Sequence, residues 1–264
     1  MKKKIFYFSG TGNTLKLAKD LAFRIPDIEL VRITYEMDFD QRDCDVVGIA
    51  YPVYCFVPPN IVVHFLQNIQ LSSSAYIFGL ASYGGLLTSS GRYVKKMLKE
   101  RGYTLNAGFA VKMPGNATVV YDVVKPQKRE MMYKKETDRI EQVASIVNDR
   151  GHYGIDTNLG ILGCIATGIG PKMMSNMQTS DKCFFVDDNC DYCGICANVC
   201  PVENIEMNSG KPQWQHKCEG CMACFHWCPK ASIQGSEKTK TRGRYHHPDV
   251  LLKDMVCCST ARER

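Results

Sequence analysis

Short apolar runs alternate with amphipathic stretches through residues 1–150. Lys4–Phe8, Ile28–Thr34, Val46–Tyr51, Ala75–Ala81 and Thr104–Met113 read as strands. Between them the apolar residues fall at helical spacing. Leu17, Ala18, Leu21 and Ile25 share one face of a helix over Thr14–Ile25 that ends at Pro26. Val62, Phe65, Leu66 and Ile69 do the same for Asn60–Asn68, and helices over Ser90–Arg101 and Gln127–Arg150 are closed by Gly102 and Gly151. The nearly continuous apolar run Ala75–Ala81 suits a strand covered by helices on both faces. Strand and helix in alternation predict an α/β fold with a doubly wound parallel sheet. One crossover is thin: Tyr35–Cys44 is barely long enough for a parallel connection, which takes about a dozen residues.

Beyond residue 150 the pattern changes. Leu159–Pro171 reads L-G-I-L-G-C-I-A-T-G-I-G-P, apolar and glycine-rich, and its 13 residues are too few to span a bilayer. It reads as an ordered packing element between domains, with Leu159, Ile161, Leu162 and Ile165 buried. Asn204–Met207 and Gln213–Gln215 read as a hairpin around Asn208-Ser209-Gly210. The organisation expected is an α/β domain at 1–150, a connector at 151–182, a small α+β domain at 183–237 and a basic tail at 238–264.

The densest chemistry lies in that small domain. Cys190, Cys193, Cys196 and Cys200, followed by Pro201, recur 28 positions later as Cys218, Cys221, Cys224 and Cys228, followed by Pro229. C-x2-C-x2-C-x3-C-P is the spacing of two-cluster bacterial ferredoxins. Three thiolates spaced by two residues reach three corners of an iron–sulfur cube from one tight loop. The cysteine before proline lies past that turn, so the fourth ligand comes from the other repeat. The expected sets are crossed: Cys190, Cys193, Cys196 and Cys228 for one 4Fe–4S cluster, Cys218, Cys221, Cys224 and Cys200 for the other. Zinc sites take four ligands in two pairs, which doubled quartets fit poorly. Trp214 is expected to cover a cluster or the domain junction. His226 reads as a solvated loop histidine, with a hydrogen bond to a cluster as its functional alternative.

Composition narrows the setting. The chain has 264 residues, 45% hydrophobic and 23% charged, as an ordinary folded protein of two domains does. With eight of 14 cysteines assigned as thiolates and the apolar start stopping at Ser9-Gly10, a reducing cytoplasm is expected rather than export. Cys44, Cys55, Cys164, Cys183, Cys257 and Cys258 receive no role, Cys55 reading as a small buried hydrophobe. The net charge of +6 invites a nucleic-acid reading. Residues 1–150 carry 21 Lys and Arg against 15 Asp and Glu, and the rest of the chain carries 12 of each. Two clusters of about −2 each and a phosphate group of nearly −2 would bring the loaded protein near neutrality, so nucleic acid is not expected. Membrane association is not expected either, for want of a basic amphipathic face.

The loop between the first strand and first helix is Ser9-Gly10-Thr11-Gly12-Asn13-Thr14. Free backbone N–H groups and the helix dipole favour an anion there, and its glycines and hydroxyls suit a phosphate. A Walker loop would need G-K-[ST], and a dinucleotide fingerprint a third glycine where Leu15 stands. The six residues resemble the [ST]-x-T-G-x-T loop by which flavodoxins hold the phosphate of FMN. That resemblance implies a flavin outside the carboxyl ends of the strands, near Pro52 and Tyr54, Ser82, Tyr83, Gly84 and Gly85, and Asn116. Tyr54 and Tyr83 can stack on a ring, and the two glycines let backbone approach its edge.

With both cysteine quartets, F-V-D-D-N-C and the R-G-R-Y-H-H-P tail, the chain resembles fused flavodoxin–ferredoxin flavoproteins of anaerobes. The resemblance implies FMN and two 4Fe–4S clusters in a cytoplasmic electron carrier, with redox proteins as partners and a homodimer as an option. No catalytic residue is assigned. A reductase acting on a small organic substrate at the flavin, and a redox sensor, stand as alternatives. The basic tail reads equally as a solvated arm or as a clamp over the clusters or flavin.

Overall fold

The computed structural model of the chain describes residues 1–87, 89–157 and 160–256, with backbone alone at 160–162 and 164–167. Leu159, Cys257 and Cys258 lie outside the described residues, as do the side chains of Ile161, Leu162, Cys164 and Ile165. The chain forms two compact units. The first comprises residues 1–8, 13–114 and 125–175, and the second residues 9–12, 115–124 and 176 onward.

The first unit is built on five parallel strands: β1 (Lys3–Tyr7), β2 (Ile28–Arg32), β3 (Val46–Pro52), β4 (Tyr76–Tyr83) and β5 (Leu105–Lys112). Their order is β2-β1-β3-β4-β5, the flavodoxin-type doubly wound order. Central β3 is buried at every residue. Helices α1 (Asn13–Arg24), α2 (Asn60–Asn68), α3 (Ser90–Glu100) and α4 (Pro126–Asn148) supply the layers. Leu17, Ala18 and Leu21 of α1 join Ile140, Val143 and Val147 of α4 over Ile5, Phe78, Leu80 and Phe109. Each large side chain so buried contributes roughly 1.5–3 kcal/mol. Phe6 points to the face opposite Ile5 and meets Phe65 of α2 at 4.9 Å between ring centroids.

All five strands and four helices expected from the pattern form, with ends shifted by one or two residues. The thin second crossover carries no helix. Instead Asp40–Gln41 pairs in parallel with Gln70–Leu71, a small ladder the pattern does not announce. The β5 edge is partly covered by a returning segment: Tyr153 N–H donates to Asn106 O at 3.0 Å and Asp156 N–H to Gly108 O at 2.9 Å. Gly108 and Gly91 make room for Ile155, whose side chain would stand 3.0 and 2.6 Å from a Cβ at those positions. Asp156 Oδ2 accepts from Ala110 N at 2.8 Å and from Arg139 Nη2 at 2.6 Å.

The connector is a helix, α5 (Gly160–Met177), with Pro171 inside it. Gly170 seats it on the turn Tyr54–Val57, because a Cβ there would lie 2.6 Å from Cys55 O and 2.7 Å from Val57. Asn60 Nδ2 donates to Met174 O at 3.4 Å. No helix among the described residues is long and apolar enough to cross a membrane.

The second unit is small and irregular. Ile205–Asn208 and Lys211–Trp214 form the expected antiparallel hairpin, turned by Ser209 and Gly210 at φ 48° and 82°. Positive φ at both central residues is the mark of a type I′ turn, whose twist matches the strands. Phe185–Val186 pairs antiparallel with Ile233–Gln234. Short helices occupy Ile195–Asn198 and Ala223–Trp227. The core gathers Cys196, Cys200, Ile205, Met222, Cys224, Phe225 and Ile233, with Phe184 and Trp214 packed against it.

Candidate functional site

The cysteine repeat is a repeat of backbone conformation as well as of sequence. Tyr192, Gly194 and Glu203 have φ of 61°, 72° and 49°. Their counterparts 28 positions on, Gly220, Met222 and Ala231, have 63°, 61° and 49°. Left-handed residues interleaved with ordinary ones turn backbone N–H groups toward a common centre. Accordingly Gly220 N–H donates to Cys218 Sγ at 3.3 Å and Asn204 N–H to Cys200 Sγ at 3.2 Å. Ser232 N–H reaches Cys228 Sγ at 3.4 Å, at the same offset as Asn204 from Cys200.

The thiols gather in crossed sets. Cys190, Cys193, Cys196 and Cys228 line one cavity with Ile195, Met207, Pro229 and Ile233. Burial pushes the Cys196 thiol up to about 12, and Cys228, Cys193 and Cys190 add to the rise. Burial also drives Cys221 well above the usual thiol range, with repulsion from Cys218 and Cys200. Cys224 follows for the same reason, its neighbours being Cys221, Cys200 and Cys218. Buried thiols resist ionisation unless a bound cation compensates them, and the doubled C-x2-C-x2-C-x3-C-P spacing is that of iron–sulfur ligands. The residues therefore fit iron–sulfur clusters. Among the described residues no three His, Cys, Asp or Glu side chains close on a point that would hold a single ion.

His226 corrects the sequence reading. It is 2% exposed, not solvated. Its Nδ1 accepts from Tyr245 N–H at 3.0 Å, so the proton sits on Nε2, which donates to Asn116 O at 2.8 Å. Burial lowers its pKa to about 4, keeping it neutral. Segment 115–124 and the tail fold over this loop, which no local pattern around His226 signals. The tail is no solvated arm: Tyr245 and His247 are buried, and the Arg244 guanidinium lies 3.6 Å over the Phe225 ring. Arg244 Nη2 also donates to the carbonyls of Ala231 and Ile233 at 2.8 and 2.9 Å.

The glycine loop after β1 is divided between the units, Ser9–Gly12 in the second and Asn13 with Thr14 in the first. Gly12, at φ 90°, donates its N–H to Ser9 Oγ at 3.1 Å. Trp227 Nε1 donates to Gly10 O at 3.2 Å and His247 N–H to Thr11 O at 2.9 Å. The sequence reading missed both contacts, since their partners lie more than 200 residues away. In the first unit, Thr14 Oγ1 and Ser82 Oγ are brought to 2.7 Å, both buried. Asn13 Nδ2 donates to Pro114 O at 2.8 Å. The first turn of α1 holds no acidic residue, so nothing there competes with an anion. Buried hydroxyls at a helix start with no neighbouring acid fit a phosphate.

The other predicted flavin-side residues stand at the carboxyl ends of the strands. Pro52 ends β3, and Ser82 and Tyr83 end β4. Tyr54 and Tyr83 are half-buried, and burial with the nearby Asp156 carboxylate raises the Tyr83 phenol. The turn after Tyr54 uses positive φ at Cys55 and Phe56, and burial raises the half-buried Cys55 thiol. Gly84 is half-buried, and exposed Gly85 has open space where a side chain would stand. Asn116 lies in the second unit, where its amide donates to Cys221 O at 3.2 Å.

Residues 184–206, which hold the first cysteine quartet, match the 4Fe-4S binding domain family. No curated protein sequence matches the chain. Among solved structures, the chain is similar to the two-electron reduced flavodoxin of Megasphaera elsdenii, 20% identical over 41% of this chain and 84% of that one, with a TM-score of 0.34. It is also similar to the flavodoxin of Streptococcus pneumonia TIGR4, 17% identical over 55% and 96% of the two chains, TM-score 0.40. A third is the FMN-dependent NADH-azoreductase from Bacillus anthracis in complex with FMN, 14% identical over 56% and 100%, TM-score 0.40. Strand order and cysteine segment define the class: a flavodoxin-like α/β domain fused to a ferredoxin-type domain.

Proposed function

We propose that this chain is an electron-transfer flavoprotein with FMN at the Ser9–Thr14 loop and two 4Fe–4S clusters on crossed cysteine quartets. The observation that carries the reading is the doubled loop conformation, with thiols influencing one another within the sets Cys190, Cys193, Cys196, Cys228 and Cys200, Cys218, Cys221, Cys224. Clusters exchange electrons singly and a flavin takes one or two, so a chain holding both can connect one-electron carriers to two-electron chemistry. Its residues do the rest: the thiols bind, the loop N–H groups and hydroxyls hold a phosphate, and Trp214 with Phe184 packs against the cluster of Cys196, Cys200 and Cys224. Covalent fusion replaces encounter between separate carriers by a high effective concentration. The setting is the cytoplasm and the partners are redox proteins rather than nucleic acid.

Anaerobic purification with iron, sulfide and flavin analysis tests the cofactor content, two clusters and one FMN per chain being expected. Cys200→Ser tests the ligand sets. It is expected to disturb the cluster held with Cys218, Cys221 and Cys224, and spectroscopy showing loss of the other cluster alone would overturn the crossing. A potentiometric titration then places the centres in order.

A further inference from the structure

The hydrogen bonds to the glycine loop from the cysteine-bearing unit have no part in holding either cofactor directly. A phosphate loop works only if its N–H groups face the anion and its carbonyl oxygens face away. In a trans peptide the C=O and the following N–H point in opposite directions, so fixing a carbonyl aims the next N–H. Trp227 Nε1 holds the Gly10 carbonyl and thereby orients Thr11 N–H. His247 N–H holds the Thr11 carbonyl and orients Gly12 N–H, which in turn fixes Ser9 Oγ. Gly12 needs its positive φ, and a side chain there would stand 3.0 Å from Val250 and 3.2 Å from His247. The loop is thus shaped from one side by the helix Ala223–Trp227 and by the tail turn His247–Val250.

The first of these supports sits among the cysteines. Trp227 lies between Cys224 and Cys228, its ring stacked on His246 at 4.0 Å between centroids. Among the described residues, the cluster behind it joins seven buried side chains, three of them cysteines of the quartets. A core with thiols at its centre would be held more tightly with its metal bound than with the metal removed.

We propose that Trp227 and His247 are positioning residues of the phosphate loop, through which occupancy of the cysteine cages sets affinity for FMN. The inference rests on the flavin reading above and extends it to linkage: occupied cages tighten FMN binding, and FMN must in return protect the cages by the same factor. The effect belongs to the phosphate, since both contacts act on carbonyls of the loop read as holding it.

Full-length protein freed of flavin under anaerobic conditions is titrated with FMN and with riboflavin, following flavin fluorescence. W227F keeps the ring and loses the donor. With cluster content unchanged, it is expected to weaken FMN by roughly two- to tenfold, the range of one hydrogen bond, and to leave riboflavin unchanged. Equal weakening of both ligands, or of neither, overturns the proposal. Should W227F fail to load clusters, wild-type protein answers instead. Stripping its clusters with a chelator and a mild oxidant is expected to weaken FMN more than riboflavin, and FMN is expected to slow the stripping. FMN affinity indifferent to the clusters overturns the linkage. Wild-type protein that is loaded with clusters yet takes up neither flavin overturns the flavin reading itself, and the proposal with it.

Discussion

Trp214 shows how one side chain can set a property of the whole centre. Its indole N–H is buried with no hydrogen-bond acceptor among the described residues, and it acts on the Cys224 sulfur, an acceptor that becomes strong only as thiolate. Hydrogen bonds to cluster sulfurs stabilise the more negative, reduced form and raise the potential. If two clusters are bound as proposed, Trp214→Phe is expected to lower the potential of the one held with Cys224 by about 20–60 mV, one hydrogen bond at 59 mV per tenfold for one electron, and to leave the other in place. Electron paramagnetic resonance during a redox titration reads both. Glu136 is a second instance, in the α/β unit. It is 2% exposed, and burial together with a hydrogen bond to Asp20 raises its pKa from 4.5 to about 7. The folded state then holds that proton more tightly than the unfolded chain does. Glu136 costs nothing below about pH 4.5, and its penalty grows as pH rises through 7. Glu136→Gln is expected to stabilise the protein by about 1–3 kcal/mol at pH 8 and by little at pH 5, measured by denaturant titration.

Among elements, the two cysteine loops depend on backbone that L-residues adopt at a cost. Ala231 sits at φ 49°, where a Cβ costs about 1–2 kcal/mol, and its carbonyl is already taken by Arg244 and Gln234. Ala231→Gly removes that strain, keeps both acceptor roles, and adds freedom to the unfolded chain. The expected result is a gain of about 0.5–1 kcal/mol with unchanged cluster spectra, and a loss of stability would contradict the left-handed assignment. Such loops were legible because cysteine spacing is a covalent constraint that repeats in the sequence. The sheet was legible for a different reason: its strands are apolar runs bounded by turns, and Pro26, Gly102 and Gly151 punctuate its helices. Helix α5 was not legible as a helix, because in its sequence apolar residues follow one another without a polar alternation and glycines interrupt them, so no stripe marks a period. Nor was the Tyr153–Asp156 edge segment, whose pairing is decided by Gly91 and Gly108 making room for Ile155. Burial of His226 and the bond from Trp227 to Gly10 are long-range events, and local pattern carries no trace of them.

At the scale of the molecule, the two units are stabilised by different means. Among the described residues, the α/β unit joins 18 buried side chains in one cluster around Ile5, Phe78 and Phe109, a large apolar burial. The cysteine-bearing unit has seven in its own cluster, and its thiols are raised by burial and by one another. Iron held by the deprotonated sulfurs would remove that repulsion, and its binding energy would then contribute to the folding of this unit. The chain supplies a convenient reporter: both of its tryptophans, Trp214 and Trp227, lie in the cysteine-bearing unit. Chelation under mild oxidation is expected to shift tryptophan emission to the red and erase near-ultraviolet dichroism. Far-ultraviolet dichroism, dominated by α1–α4 and the sheet, should keep most of its amplitude. Cooperative loss of both signals at one chelator concentration would show a single folding unit and refute this division of stability. Tryptophan emission that stays unmoved after iron release would show a cysteine unit that folds without its metal.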